Sequence, residues 1–288
     1  MNKYKKMMFW ELLIIVAIIW TMFSTITDLK KREVPNWISF TLIAIALFSR
    51  IIYSIINSQI SIFIYGILGL AIGVIIGCLM YYTKQWGGGD AKLLMGLTTI
   101  FIDYKGIEFL NANIDLPFIL ILLINIMLFG GIYGFCYGLM LAAKNKEKFL
   151  HEWNKHKHTK IIIALGIMII LPLLGYSFIR PLFYIISALG VLAFVLIIML
   201  EIAKTVETVC MYKKINPNKL VEGDWIAEDV KKGKEIIYKS SSIELKQKDI
   251  DLIKKNKIKE VLIREGIPFI PGFLIGLIVS LVFGNWII

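Results

Sequence analysis

The sequence predicts an all-α polytopic membrane protein of about eight transmembrane helices, with a small α+β cytoplasmic domain before the last helix. Three observations carry that expectation. The 288 residues are 58% hydrophobic with a mean hydropathy of +0.74, against roughly 45–50% apolar content in soluble domains. Several stretches exceed the ~18 consecutive apolar residues that mark a membrane span. Only the stretch from about 204 to 266 departs from this pattern, being rich in Lys and Glu.

Taken in order, spans are expected at 7–27, 37–56, 60–82, 91–104, 117–143, 161–179, 181–203 and 267–288. The run after Met7 lacks a small-residue cleavage site and reads as a retained span, not a removed signal peptide. The fourth segment is the short one. Only Ala91 to Ile102 is strongly apolar, and at ~1.5 Å per residue that falls short of the ~30 Å hydrocarbon core. It extends through Tyr104, tilts, or starts below the membrane surface. The stretch 144–160 is a basic, polar connection. Within 204–266, a helical pattern at 247–256 precedes a strand-like one at 259–264. The chain therefore divides into a transmembrane region over residues 1–203, a soluble domain over 204–266 and a C-terminal helix over 267–288.

The formal charge of +11 would suggest nucleic acid in a soluble protein. Here it lies largely in short segments between spans, where it sets orientation against membrane lipids, so no nucleic-acid partner is expected. Lys30, Lys31, Arg32, Lys84, Lys144, Lys146, Lys148, Lys155, Lys157 and Lys160 share one set of loops. The opposite loops hold little beyond Lys105 and Arg180, beside Asp103, Glu108 and Asp115. The majority puts the first set and the soluble domain in the cytoplasm, with both termini outside; Lys3, Lys5 and Lys6 dissent. Cys78, Cys136 and Cys210 are far apart, with no CxxC pair, so neither a disulfide framework nor a zinc site is indicated. Gly69, Gly73 and Gly77, and again Gly130, Gly134 and Gly138, recur every four residues as close helix contacts.

Two segments carry chemistry. Thr27-Asp28-Leu29-Lys30-Lys31-Arg32-Glu33-Val34-Pro35-Asn36-Trp37 closes the first span and opens the second. Trp86-Gly87-Gly88-Gly89-Asp90-Ala91-Lys92-Leu93-Leu94 opens the fourth. Two spans separate them, so Asp28 and Asp90 fall on the same membrane face whichever way the chain inserts. Close carboxylates cannot both ionise and so share a proton. The charged one can take a proton from an attacking water; the protonated one can hydrogen-bond a peptide carbonyl and later serve the leaving amine. Gly87, Gly88 and Gly89 offer a bare, bent backbone that a substrate strand could approach. Taken singly, Asp28 beside Lys-Lys-Arg reads as a solvated interface residue, and GGGD as a turn with an N-cap Asp; the two together on one face are more telling.

At these residues the chain resembles the prepilin and preflagellin peptidases, the GxGD membrane aspartyl proteases, in their archaeal form. The carriers are Asp28…Arg32-Glu33-Val34-Pro35-Asn36 and Gly87-Gly88-Gly89-Asp90-Ala91-Lys92-Leu93-Leu94, in that order, over about 25–105. Glu265-Gly266-Ile267-Pro268-Phe269-Ile270-Pro271, leading from a soluble domain into a last span, adds to the likeness. The resemblance implies catalytic Asp28 and Asp90, an active-site loop of Gly87, Gly88 and Gly89, and supporting places for Arg32 and Lys92. It implies no cofactor. The partners it implies are pilin-like or flagellin-like precursors, whose short basic leaders are removed at the cytoplasmic face of the cell membrane. Larger bacterial members carry a Cys-rich insert and also N-methylate the product; nothing of that kind stands between the first two spans, so methyltransferase activity is not expected.

Weaker signals have bland readings. His151, His156 and His158 are irregularly spaced in a cationic loop and make no metal site. Asp224, Glu228 and Asp229 could meet a basic leader, but read first as a solvated loop. Pro268 and Pro271 mark the start of the last helix. Two rival functions use the same carboxylates. A presenilin-like intramembrane protease would place its first Asp after a Tyr and well inside a span, whereas Asp28 follows Thr27 at a span's edge. An ion-coupled transporter would call for inverted repeats or broken helices, which the sequence does not display.

Overall fold

The computed structural model describes residues 3–106, 110, 114–155, 161, 163–168, 180–233, 235–240, 245–256 and 258–285. It is mostly helical. Helix α1 covers Lys3–Lys31, α2 Asn36–Asn57, α3 Ser61–Tyr82, α4 Gly88–Phe101, α5 Phe118–Lys144, α6 Lys146–Lys155 and α7 Arg180–Val206. After the soluble-type segment, α8 covers Gln247–Lys255 and α9 Ile270–Phe283. Among the described residues, five helical stretches are long and apolar enough to cross a membrane: Met7–Lys31, Asn36–Asn57, Ser61–Tyr82, Phe118–Lys144 and Ala188–Met211. The chain is a multi-pass membrane protein. The expected span 161–179 lies largely outside the described residues; 163–168 is helical.

Boundaries differ from the sequence reading where local chemistry overrides hydropathy. α4 starts at Gly88, not 91, because Gly87 is extended and its N–H is taken by Asp90 Oδ2 at 3.0 Å, which satisfies an amide of the helix start. The seventh span, expected to stop at 203, continues through a π-turn at Glu207–Met211 directly into a strand. Part of the 144–160 connection is itself helical, as α6.

Packing is governed by glycine. α3 lies along α4 with Gly69 and Gly73 against Thr98 and Gly77 against Ala91, so that any Cβ there would strike the neighbouring helix. The other stripe divides. Gly130 of α5 meets Phe269 and the Gly272 backbone of α9, whereas a Cβ on Gly134 would meet nothing among the described residues. α9 is further fixed by the buried bond from Asn125 Nδ2 to Ser280 Oγ at 2.9 Å.

α4 has 14 residues, about 21 Å at 1.5 Å each, and its end is finished inside the protein. Arg50 of α2 is fully buried. Its guanidinium donates to Thr99 O (3.0 Å), Ile100 O (2.7 Å), Ile62 O (2.9 Å) and Asp103 Oδ1 (2.6 Å), and it lies 5.7 Å from the Trp10 ring centroid. Two of the carbonyls that a helix leaves unpaired at its C-terminus, those of Thr99 and Ile100, are thus satisfied by a buried side chain.

Strands β1 (Tyr212–Ile215), β2 (Trp225–Ile226), β3 (Val230–Lys232), β4 (Glu235–Tyr238) and β5 (Val261–Arg264) make a sheet of order β1-β5-β2 and a β3-β4 hairpin, antiparallel throughout. With α8 they enclose a core of their own that includes Leu220, Ile226, Val230, Leu245, Ile250, Ile253, Val261 and Ile263. The helix and strand expected at 247–256 and 259–264 are α8 and β5.

Candidate active site

Asp28 sits in the last turn of α1. Below it a polar stripe faces inward: Thr21 and Ser24 are fully buried and Thr25 nearly so, each hydroxyl donating to a carbonyl of the preceding turn. Asp28 itself is only 6% exposed, and its Oδ2 accepts the Ile270 N–H at 3.0 Å. α1 closes with Arg32 in the left-handed region (φ 57°), its N–H returned to Asp28 O at 2.7 Å. Gly or Asn is usual at such a position. Here Arg32 pairs with Glu265, which also binds Lys213 Nζ at 2.5 Å.

Asp90 lies in the first turn of α4 and is half-buried. Gly87 caps the helix and Asp90 is the third helical residue, so the expected N-cap role belongs to Gly87. Nor are the glycines a left-handed bend: none of Gly87, Gly88 and Gly89 has positive φ. The reason for Gly89 is space, since a Cβ there would stand 2.9 Å from Val34 Cβ. Gly87 carries no such restriction; its nearest neighbour would be Asp90 Oδ2 at 3.6 Å.

The structure brings the two motif turns together. Val34 packs on Gly89, and Lys92 Nζ donates to Asn36 Oδ1 at 2.6 Å while lying 5.9 Å from the Phe40 ring centroid. Lys92 therefore ties one motif to the other. Arg32 points the opposite way, toward the segment before α9. Trp86, 3% exposed, stacks between the motif and α9, with Phe273 at 5.1 Å and Phe269 at 6.0 Å between ring centroids.

The other polar sites are structural. Asp224 Oδ2 accepts the Val221 N–H at 3.0 Å; burial pushes its carboxyl up, and the charge of Glu265 acts in the same direction. Asp229 accepts the Ser240 N–H at 2.8 Å, which holds its carboxyl below the usual range. Both acids build turns. His151 is exposed on α6, and His156 and His158 lie outside the described residues. Among the described residues no group of three His, Cys, Asp or Glu could hold a metal.

Sequence reasoning missed Arg50, and it quoted Trp86, Glu265 and Ile270 only as parts of motifs, with no role for any of them. An Arg inside an apolar span was signal enough for the first. Gly272, Gly276 and Ser280, spaced by four, were signal that the last helix is packed inside protein.

Fold and site together define a multi-pass helical membrane protein in which two carboxylates stand in neighbouring turns at one end of the helices. Residues 15–135 match the model of the type IV leader peptidase family, the family that the two motifs resemble. No curated protein and no solved structure matches the chain.

Proposed function

We propose that the chain is a membrane aspartyl endopeptidase that removes short basic leaders from pilin-like or flagellin-like precursors at the cytoplasmic membrane face, with Asp28 and Asp90 as its catalytic pair. The observation that supports this best is the packing of Val34 on Gly89 together with the Lys92–Asn36 bond. These contacts hold the Asp28 turn against the Asp90 turn within the segment that matches the leader peptidases. One carboxylate activates water while the other, protonated, polarises the scissile carbonyl; the proton then passes to the leaving amine. The chemistry calls for no metal, cofactor or methyl donor. The basic loops argue for a cytoplasmic site, where a leader's charges stay in water and the helix that follows lies in lipid.

The test is incubation of purified protein in detergent with candidate precursors, with products identified by mass spectrometry. Asp28→Asn and Asp90→Asn are each expected to lower kcat by about 10²–10⁴-fold with little change in thermal unfolding. Near-normal cleavage by either variant would falsify the paired mechanism.

A further inference from the structure

Beyond the family-matched stretch the chain returns to the acid end of α1, by a route that the sheet sets. α7 runs through its π-turn into β1, and β5 pairs antiparallel with β1, Tyr212 opposite Arg264. The strand leaving the membrane helices and the strand coming back therefore stand side by side. Glu265, the next residue, gives its N–H to Met211 O at 2.8 Å and its carboxylate to Lys213 and Arg32. Five residues on, α9 begins, and the N–H of its first residue goes to Asp28 Oδ2. First-turn amides have no partner in their own helix; this one is taken up by a carboxylate 242 positions away in sequence. Pro271 in the first turn, Gly272 on Gly130, and Phe273 on Trp86 fix where α9 starts, so the amide has a fixed place.

We propose that the segment Glu265–Phe273 is a positioning element of the active site: the Ile270 amide sets the orientation of the Asp28 carboxylate, and Glu265 holds the Arg32 turn that ends its helix. The proposal rests on the peptidase reading above. The Phe269 amide also hydrogen-bonds this carboxylate, so two successive backbone N–H groups at the start of α9 hold it. Reacting groups must be held to within about 10–20° of their productive geometry, which a side chain at a helix end does not achieve unaided. The last helix is thus a support for the catalytic acid, and the small domain delivers it.

The amide can be removed without touching a side chain. An α-hydroxy analogue of isoleucine at position 270, introduced into the full chain by nonsense suppression, replaces the 269–270 peptide with an ester. Two quantities are read: cleavage kinetics on a precursor the wild-type chain cleaves, and the Asp28 carboxyl infrared band, identified by its loss in Asp28→Asn. The expected result is a shifted band and a kcat lower by about tenfold or more, as for loss of one hydrogen bond to a charged group, with KM little changed. An unshifted band overturns the anchor; a shifted band with unchanged kcat overturns its role in positioning. In parallel, Glu265→Gln and Arg32→Ala are compared singly and together. If Glu265 acts through Arg32, the double variant loses no more kcat than the worse single one; multiplied losses overturn that half. Failure of the wild-type chain to cleave any precursor would defeat the peptidase reading instead, and is told apart because the infrared band reports the anchor without turnover.

Discussion

α3 and α4 are packed side by side, yet they solve different problems. α3 has 22 residues, of which only Gly66, Gly69, Gly73 and Gly77 are buried; Ile76 and Met80 pack partly against the core, and large apolar side chains such as Ile64, Leu68, Ile75 and Leu79 are exposed. α4 has 14, nine of them buried. α9 is of the second kind, with 14 residues and eight buried. Lipid has to be spanned, so an outer helix is long and apolar all round. A helix enclosed by protein can stop at any depth where its end groups find partners. The two short helices are the ones that serve the carboxylates: Asp90 rides in the first turn of α4, and the first amide of α9 holds Asp28. Being enclosed frees a helix to begin beside the carboxylates.

The largest expected effect breaks this contrast at Arg50. Arg50→Met leaves Asp103 without its partner and removes the Arg50 donors from the Thr99 and Ile100 carbonyls at the end of α4. A destabilisation of about 3 kcal/mol or more is expected, measured by thermal unfolding in detergent. Arg50→Lys recovers only part of it, since one ammonium cannot reproduce a planar fork. Unfolding of Arg50→Met at the wild-type temperature would mean that α4 does not need its end sealed.

Glycine sharpens the comparison through one substitution placed twice. Gly73→Ala, facing Thr98 and Met95, is expected to cost about 1–3 kcal/mol as an overpacked contact. Gly134→Ala, with nothing beside it among the described residues, is expected to be neutral or slightly stabilising, by up to ~1 kcal/mol from helix propensity. Equal destabilisation of both would show that the α3–α4 contact carries no special load.

The same division explains what was legible in the sequence. Outer helices are written in hydropathy, and α2, α3 and α5 fall within a few residues of their expected bounds. The motif pair was legible because parity alone puts Asp28 and Asp90 on one face. Residues that act through distant partners were not. Nothing near Ile270 announces that its amide meets Asp28, and no local pattern pairs Glu265 with Arg32. Local reading also mistook the reason for Gly89, which was read as backbone freedom and is in fact room for Val34.

Gly89 therefore makes the third prediction, at the level of activity. Under the mechanism proposed above, Gly89→Ala should push the Val34 turn off α4 and lower kcat by about 10–100-fold, the penalty of misplacing one carboxylate of the pair. Gly87→Ala should stay within about twofold, since its φ of −72° and ψ of 164° suit any residue. Equal losses would mean that the loop needs bare backbone for substrate, as the sequence alone suggested.

The smallest effect is expected at Asp224, and it tests whether α9 is supported from outside the membrane as α4 is from within. Asp224 is in the turn before β2, with Glu265 near enough to act on its charge. Burial raises its carboxyl pKa above the ordinary value, Glu265 adds to the rise, and the Val221 N–H opposes it. The folded domain therefore binds this proton more tightly than the unfolded chain does. Its stability falls as pH rises from the ordinary carboxylate range, near ~3.9, through the raised folded value, and is level above that. Asp224→Asn keeps an oxygen for the Val221 N–H and removes the charge. At neutral pH it should slow hydrogen exchange in α8, whose Ile250 and Ile253 lie in the same core. Below the ordinary carboxylate pKa, where Asp224 is protonated in both states, the variant and the wild-type chain should exchange alike. Faster exchange in the variant at neutral pH, converging with the wild-type chain toward acid pH, would mean that the Asp224 charge stabilises the domain.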